Sequence, residues 1–207
     1  MSITDPFWDK AARKYNASKI GNVPAYERTL DHTRAYLTPD ANVLEIGCGT
    51  ASTALLLAPD VAAYTASDIS TEMVEIGREK ARAAGIDNLR NLHATLGDPQ
   101  IGPGPYDAVL GFNLLHLMPD VESAARQVHA LLKPGGMFIS KTACLSGWRG
   151  LLRVPIAGMR LFGKAPWVTF MSTEVLESHI RAAGFEIVES FDPSGSPMGH
   201  FVAARRL

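Results

Sequence analysis

The sequence predicts an α/β protein built on a doubly wound, mostly parallel sheet. One observation is a strand, a glycine turn and a helix in direct succession, beginning in the stretch Asn42–Ala51, which reads NVLEIGCGTA. The other is the alternation of strand-like and helix-like segments along most of the chain, which is typical of βαβ units. At 207 residues the chain is long enough for one full α/β core, so we expect a single domain over 1–207.

Two helices are predicted before the first strand. Residues 7–19 and 24–37 carry apolar side chains at helical spacing, and we expect them to form a helical cap over 1–38. The first strand, Val43–Ile46, is a short apolar run of the kind that is buried on both faces of a parallel sheet. A helix at 52–58 follows the glycine turn, with Thr50 or Ser52 expected to cap its first turn.

Local signals delimit the remaining elements. Ser70 and Gly85 bound a helix that runs to about Ala84, and Asp120 caps a helix over 120–132. A last helix runs over 173–183, with Ser172 or Thr173 as its cap and Gly184 at its end. A turn is predicted at 133–136, and further strands are predicted at 62–67, 89–94, 107–112, 137–141, 185–191 and 200–205.

Composition argues against several functional classes. The formal net charge is −1, and no basic stripe appears, so nucleic acid is not expected as a partner. The two cysteines, Cys48 and Cys144, make no disulfide framework, and no histidine or cysteine spacing indicates a metal site. The N-terminus does not read as a signal peptide, and no apolar run is long enough to span a membrane. We therefore expect a cytoplasmic protein.

The glycine pattern indicates which kind of ligand the first turn binds. Gly47 and Gly49 allow a tight turn and close approach of the backbone to a ligand. Asp68 ends the next strand, so its carboxylate is expected to face the same crevice and to accept hydrogen bonds from ribose hydroxyls. A dinucleotide fingerprint would need a third glycine where Ser52 stands. Instead, Glu45 precedes the pair and completes the pattern E-x-G-x-G.

Four segments in this order resemble the class I S-adenosylmethionine-dependent methyltransferases of the small methyltransferase-domain type. They are VLEIGCGTA, the strand end at Asp68, YDAVLGFNLLHLMPD and LLKPGGMFIS. The resemblance covers residues 7–142 and, more loosely, 173–205. It implies a seven-stranded sheet with a reversed last strand, S-adenosylmethionine as cofactor, and in-line transfer of a methyl group.

The resemblance also implies roles for individual residues. Backbone of the glycine turn would line the methionine part of the cofactor, Glu45 would lie under its amino acid end, and Asp68 would bind the ribose. An adenine contact is expected from Thr95 and the Leu96 backbone, or alternatively from Asp98. The full set of expected cofactor-binding residues is Tyr15, Glu45, Gly47, Cys48, Gly49, Asp68, Ile69, Met73, Thr95, Leu96 and Asn113.

A general base is needed only where the methyl acceptor starts protonated. His116, three residues past Asn113, is the best candidate, and the alternative is a histidine that merely packs at the start of the following helix. His32 and His200 are weaker candidates. The motif that some relatives use on amino groups of bases and glutamines is absent, because GFNLLH stands in its place.

Residues 143–172 interrupt the strand–helix alternation. This insertion contains no Asp or Glu, and its cations are Arg149, Arg153, Arg160 and Lys164. Apolar residues from Trp148 to Met159 fall at helical spacing, with Pro155 expected to kink or break the helix. We expect a lid over the substrate. An ordinary packed insertion, a membrane-surface helix and a dimer contact are the alternatives, and the oligomeric state is not predicted.

The sequence therefore predicts methyl transfer from S-adenosylmethionine to a small, apolar or aromatic molecule, with no metal. A nicotinamide-dependent oxidoreductase on a similar sheet is the first alternative, and a non-catalytic cofactor-binding protein of the same fold is the second.

Overall fold

The computed structural model describes residues 6–146, 153–161 and 165–207. A seven-stranded sheet with the order β3-β2-β1-β4-β5-β7-β6 forms its centre. The strands are β1 (Asn42–Ile46), β2 (Ala63–Asp68), β3 (Leu89–His93), β4 (Tyr106–Phe112), β5 (Leu132–Thr142), β6 (Phe185–Phe191) and β7 (His200–Arg206). The helices are α1 (Pro6–Ala17), α2 (Val23–Arg34), α3 (Ser52–Leu57), α4 (Thr71–Ala84), α5 (Val121–Leu131), α6 (Arg153–Leu161) and α7 (Thr173–Ala182).

The strand directions confirm the predicted fold class. Strands β1 to β5 pair in parallel, whereas β7 lies antiparallel between β5 and β6. The reversal follows from the chain, because β6 and β7 are consecutive and form an antiparallel pair. All parallel strands thus end at one edge of the sheet, and in such sheets ligands bind beyond this carboxyl edge.

Apolar side chains cover both faces of the sheet. On β1, Leu44 and Ile46 belong to one buried cluster and Val43 to the other, as expected for a strand with helices on both sides. The cluster with Leu44 packs against α5 and α7 through residues such as Val128 and Leu176. The cluster with Val43 includes Leu30 of α2 and Leu57 of α3.

The helix ends follow the predicted caps with one exception. Ser70, Asp120 and Ser172 each accept a hydrogen bond from a backbone amide in the first turn of their helix. At α3, however, the N-cap is Ala51, in the left-handed conformation with φ 57°, and no side chain caps the helix. The prediction that Thr50 or Ser52 caps α3 was therefore wrong.

Competing contacts explain this difference. The Lys80 Nζ of α4 donates to the Ser52 Oγ and to the Thr50 carbonyl, each at 2.8 Å. These contacts orient both residues toward α4 rather than toward the open amides of α3.

The structure also bears on the predicted turn at 133–136 and on the predicted kink or break at Pro155. Leu132 pairs with Tyr106 and Met137 with Ala108, so the predicted turn at 133–136 is a bulge inside β5. Pro155 lies inside α6, and the described residues 153–161 form one helix, so the helix does not end at Pro155. Residues 147–152, which directly precede α6, lie outside the described part of the chain.

Helices α1 and α2 lie against the domain as a cap. Helix α1 packs on α4, and α2 packs on α3. The Arg28 guanidinium of α2 donates to the Pro193 carbonyl in the connection between β6 and β7. Among the described helices, none is long and apolar enough to cross a membrane.

Candidate functional site

The turn after β1 is built from residues in the left-handed backbone region. Gly47, Gly49 and Ala51 have φ of 67°, 55° and 57°. A Cβ on Gly47 would lie 2.7 Å from the Leu114 Cδ1, so this position has neither the conformation nor the room for a side chain. The Cys48 amide between the glycines donates to the Ser67 carbonyl at 3.0 Å, which fastens the turn to β2.

Asp68 lies directly beside this turn. Its Oδ2 accepts a hydrogen bond from the Gly49 amide at 2.8 Å, and its Oδ1 accepts one from the Ser70 amide at 2.9 Å. The residue is only 8% exposed, and this burial raises the pKa of its carboxyl group while the two amides oppose the rise. A carboxylate has about four acceptor positions, so about two stay available for a ligand with two hydroxyls.

Glu45 lies on the β1 face that α2 and α3 cover. It is 2% exposed, and its Oε2 accepts a hydrogen bond from the Tyr64 hydroxyl at 2.8 Å. Burial raises the pKa of the Glu45 carboxyl group to about 8, and the nearby Asp68 adds to the rise. Sequence reasoning did not anticipate the Tyr64 contact, because the β1–β2 register brings the two side chains together.

Tyr15 of α1 covers the glycine turn. Its Cε1 lies 3.5 Å from the place that a Cβ on Gly49 would occupy. Partial burial, followed by the charges of Asp68 and Glu45, raises the pKa of the Tyr15 phenol. The ring is nevertheless 52% exposed, so it forms the outer wall of this corner.

Two residues that sequence reasoning missed hold this corner together. The Asp9 carboxylate of α1 accepts hydrogen bonds from the Ser70 hydroxyl at 2.6 Å and from the Glu72 amide at 3.3 Å. Lys80 binds the Thr50 carbonyl and also contacts the Asn16 side chain of α1 at 3.4 Å. No local signal marks these roles, because each contact joins segments about 30 to 64 residues apart.

The expected adenine contacts lie farther along the same edge. Met73 is buried at the start of α4, and the Ile69 carbonyl contacts the His93 Nε2 at 2.8 Å. Thr95 is exposed, and Leu96 packs partly on the core. The Asp98 carboxylate accepts a hydrogen bond from the Gln100 amide at 2.9 Å. This bond occupies one acceptor position of the carboxylate, so the adenine contact from Thr95 and Leu96, or alternatively from Asp98, stays a prediction.

Asn113 marks the carboxyl end of β4. It has φ 54°, which is uncommon for a residue other than glycine and often accompanies a functional site. Its amide donates to the Lys141 carbonyl of β5 at 2.6 Å, while its side chain is exposed. The turn after β4 therefore presents Asn113 outward, next to the end of β5.

His116 lies in the short 3₁₀ turn Leu115–Leu117, beneath the end of the insertion. Its carbonyl accepts a hydrogen bond from the Thr169 amide at 2.7 Å, and the Thr169 hydroxyl donates to the Met118 carbonyl at 2.7 Å. Within the described residues the His116 Nδ1 is buried without a hydrogen-bond partner. Burial lowers the pKa of this imidazole, which favours the neutral form that a base requires.

The two weaker histidine candidates are engaged elsewhere. The His32 Nδ1 contacts the Glu189 Oε1 at 2.8 Å. His200 lies between the Asp192 carboxylate, at 2.8 Å from its Nδ1, and the Glu177 carboxylate, at 3.1 Å from its Nε2. Both imidazoles contact carboxylates of other elements, and His200 does so through both ring nitrogens.

Part of the insertion lies outside the described residues, including Trp148, Arg149, Leu152 and Lys164. In the described part, the Arg160 guanidinium of α6 lies 4.3 Å from the centre of the Trp167 ring. Ile156, Arg160, Trp167 and Phe170 line a cavity of about 350 Å³ together with Pro119 and other residues. The insertion thus folds back over the turn that follows β4.

These residues lie at the carboxyl ends of the adjacent strands β2, β1 and β4. Together they offer an open glycine turn, a carboxylate with free acceptor positions and an aromatic cover. This set fits a ribose flanked by an amino acid group and a base, as in S-adenosylmethionine. The fit rests on the geometry around Asp68 and on the side-chain-free surface of Gly49.

Comparisons with known proteins point to the same chemistry. A family model that describes a methyltransferase domain matches residues 44–138, which include the end of β1, the glycine turn, Asp68 and β4. A demethylmenaquinone methyltransferase of Listeria welshimeri is 27% identical over 180 residues, covering 74% of this chain and 74% of the relative.

Solved structures share the fold. A magnesium protoporphyrin IX methyltransferase from Synechocystis PCC 6803 with bound SAH superposes with a TM-score of 0.72 at 21% identity, over 99% of this chain and 96% of that one. A geranyl diphosphate methyltransferase in complex with GPP and sinefungin gives a TM-score of 0.71 at 15% identity, over 87% and 77% of the chains. At these identities the likeness establishes the fold.

Proposed function

We propose that this chain, whose residues 44–138 match a methyltransferase-domain model, is a class I S-adenosylmethionine-dependent methyltransferase that binds S-adenosylmethionine and methylates a small, apolar or aromatic molecule. The observation that carries the proposal is the Asp68 carboxylate, which contacts the Gly49 amide at 2.8 Å and keeps acceptor positions for a ribose. The family match also argues against the nicotinamide-dependent alternative.

We assign the cofactor-binding roles along this edge of the sheet. Asp68 accepts the ribose hydroxyls, while the backbone from Gly47 to Gly49 lines the methionine part. Glu45 lies beneath the amino acid end, and Tyr15 covers it. Ile69 and Met73 pack on the adenine, whose polar edge meets Thr95 and the Leu96 backbone. Asn113 lies at the sulfonium end.

The chain contributes mainly by alignment. When bound, S-adenosylmethionine would supply a methyl group on a sulfonium: the nucleophilic atom of the acceptor would bond to the methyl carbon in line as the carbon–sulfur bond breaks, and S-adenosylhomocysteine would leave. Holding two reactants in such an arrangement can contribute about 7–11 kcal/mol. The Asp68 carboxylate also suits a cationic cofactor by charge, whereas the raised pKa of Glu45 keeps that side chain largely neutral. Where the acceptor starts protonated, His116 is the proposed base, and its low pKa keeps the imidazole ready to accept that proton.

Aromatic and aliphatic side chains next to Asn113 support an apolar acceptor. Phe112 precedes Asn113 and is only partly buried, and Leu114 follows it and packs partly on the core. The relative from Listeria is named for a quinone precursor, and one structural neighbour was solved with GPP. These names agree with the side chains around Asn113, although the identities are low.

We further propose that residues 143–172 form a lid over the acceptor. Two hydrogen bonds of Thr169 dock this insertion onto His116 and Met118, directly after the proposed methyl-transfer site. The insertion lacks carboxylates, so its described part offers an apolar and basic cover. Excluding water from the site would strengthen the polar contacts inside it. The single domain over 1–207 and the cytoplasmic location stay predictions.

Calorimetric titration with S-adenosylmethionine, S-adenosylhomocysteine and NADH tests the cofactor assignment. We expect the first two to bind and NADH to give no signal. Tight NADH binding without an S-adenosylhomocysteine signal would overturn the proposal.

Transfer of a radiolabelled methyl group to a panel of naphthols, hydroquinones and aliphatic amines then tests the acceptor class. We expect label in the naphthols or hydroquinones, and label confined to the amines would contradict an aromatic acceptor.

A further inference from the structure

Four residues stand in register across the carboxyl end of the sheet. Phe112 of β4 pairs with Lys141 of β5, Lys141 pairs with Phe201 of β7, and Phe201 pairs with Phe191 of β6. Paired residues of neighbouring strands point to the same face of a sheet. Lys141 is therefore the one cation in a row of phenylalanines, on the face that α2 covers.

Lys141 lacks side-chain partners of the kind that Lys80 and Lys133 have. Lys133, at the opposite end of β5, contacts the Asp107 carboxylate at 2.7 Å, and Lys80 binds the glycine-turn segment. In the described part of the chain, the Lys141 ammonium makes no hydrogen bond or ion pair, although the residue is half-buried. Burial lowers the pKa of Lys141, and no carboxylate offsets this effect. Holding a cation there is costly until an anion arrives.

The position of Lys141 links it to the proposed methyl-transfer site. Its carbonyl accepts the hydrogen bond from the Asn113 amide at 2.6 Å, so it lies one strand spacing from the end of β4. Its Cε passes 2.9 Å from the place that a Cβ on Gly199 would occupy, and its Nζ lies 3.8 Å from that place. The glycine before β7 thus leaves room for the lysine to extend along the carboxyl edge.

We propose that Lys141 binds an acidic oxygen, a carboxylate or a phenolate, on an aromatic methyl acceptor. The inference rests on the proposed function, since it names the acceptor class of the same site. Phe112, partly buried beside Lys141, supplies a surface for an aromatic ring, and the ammonium supplies a charge-assisted hydrogen bond. A lysine acts as a point charge, so it suits a single oxygen without demanding a planar, bidentate group.

Calorimetry with a matched pair of probes tests this inference. 2-Naphthoate and the neutral 2-naphthamide are titrated into the protein saturated with S-adenosylhomocysteine. We expect the wild-type protein to prefer 2-naphthoate. In Lys141→Met, which keeps the apolar stem, the affinity for 2-naphthoate should fall about 10- to 100-fold, to the level of the amide. Lys133→Met, a charge removed at the opposite end of the same strand, should keep the wild-type preference.

Affinity for S-adenosylhomocysteine should be the same in all three proteins. A wild-type protein that binds it but shows no preference for 2-naphthoate overturns the role of Lys141 and leaves the proposed function intact. The same conclusion follows if Lys141→Met retains the preference. A wild-type protein that does not bind S-adenosylhomocysteine overturns the proposed function, and the role of Lys141 with it. Should Lys141→Met fail to fold, Lys141→Gln takes its place.

Discussion

The Asp68 Oδ2 accepts a hydrogen bond from the Gly49 amide at 2.8 Å, which joins the end of β2 to the turn after β1. The same carboxylate holds the Ser70 amide at the start of α4 through its other oxygen. Asp68 therefore braces two loops and at the same time faces the proposed ribose site. A test of its binding role has to separate these two functions.

Asp68→Asn keeps the shape of the side chain and removes its charge. We expect the binding free energy of S-adenosylhomocysteine to weaken by roughly 1.5–3 kcal/mol for each charged hydrogen bond that is lost. Calorimetry measures the affinity, and thermal unfolding shows whether the turn survives. Asp87→Asn, the same chemical change at an exposed position after α4, serves as the control and should change neither. Unchanged affinity in Asp68→Asn would make this residue purely structural.

Gly49→Ala tests the open surface of the glycine turn. Its φ of 55° makes any side chain strained by roughly 1–2 kcal/mol, but the new Cβ meets only the Tyr15 ring at 3.5 Å. We expect a folded protein that has lost most of its affinity for S-adenosylhomocysteine, and Gly49→Val should be worse. Gly85→Ala, with φ 65° and nothing within 4 Å, carries the same backbone strain and should bind normally. Equal affinity in the two alanine variants would contradict the assignment.

Glu45 predicts a particular dependence of stability on pH. Its folded pKa is about 8, against about 4.5 in the unfolded chain. Between these values the unfolded state loses the proton first, so the free energy of unfolding falls as pH rises, by up to about 1.4 kcal/mol per pH unit. Glu45→Gln removes this penalty, so its stability relative to wild type should increase from pH 5 to pH 8.

Urea unfolding at pH 5, 6.5 and 8 measures this effect. Glu75→Gln, the same chemical change on the exposed side of α4, serves as the control. A difference between Glu45→Gln and wild type that stays constant with pH would show that Glu45 is ionised in the folded protein.

Asp9→Ala should loosen the cover of the site. The substitution removes the contacts of α1 with the Ser70 hydroxyl and the Glu72 amide, and Tyr15 lies on the same helix. We expect faster hydrogen exchange over 6–17 and an affinity for S-adenosylhomocysteine that is lower by roughly five- to tenfold. Arg13→Ala breaks only the 3.9 Å ion pair between Arg13 and Glu72. Because the Arg13 side chain is 89% exposed, this loss should have no effect. If both variants behave as wild type, α1 is not held by Asp9.

Thr169→Val should release the insertion from the turn after β4. The variant loses the hydrogen bond to the Met118 carbonyl and the one from the Trp167 Nε1. In the wild-type protein we expect exchange over 143–172 to slow when S-adenosylhomocysteine and 2-naphthoate are added, and in Thr169→Val we expect less slowing. Ser178→Ala, on the exposed side of α7, is the control. A segment that is already protected and does not respond to ligand is an ordinary packed insertion.

Features that depend on neighbours in the chain could be predicted from the residue order alone. Strands and helices follow from apolar periodicity, and the caps Ser70, Asp120 and Ser172 follow from hydroxyl or carboxylate groups placed just before a helix. The position of Asp68 beside the glycine turn could also be predicted, because the carboxyl ends of parallel neighbours meet at one edge. The cap of α3 could not be predicted this way, since the Lys80 ammonium from another helix contacts the Ser52 hydroxyl at 2.8 Å and the Thr50 hydroxyl at 3.4 Å.

Other features depend on which side chains the folded chain brings together. The Glu45–Tyr64 pair arises from the register of β1 and β2, and burial of that pair raises the pKa of Glu45. The contacts of Asp9 and the docking of Thr169 on His116 join residues more than 50 positions apart in the chain. Lys141 comes to lie between Phe112 and Phe201 only when β4, β5 and β7 align in the sheet. Burial and long-range hydrogen bonds have no local signature, because they are properties of the packed chain and not of any single segment.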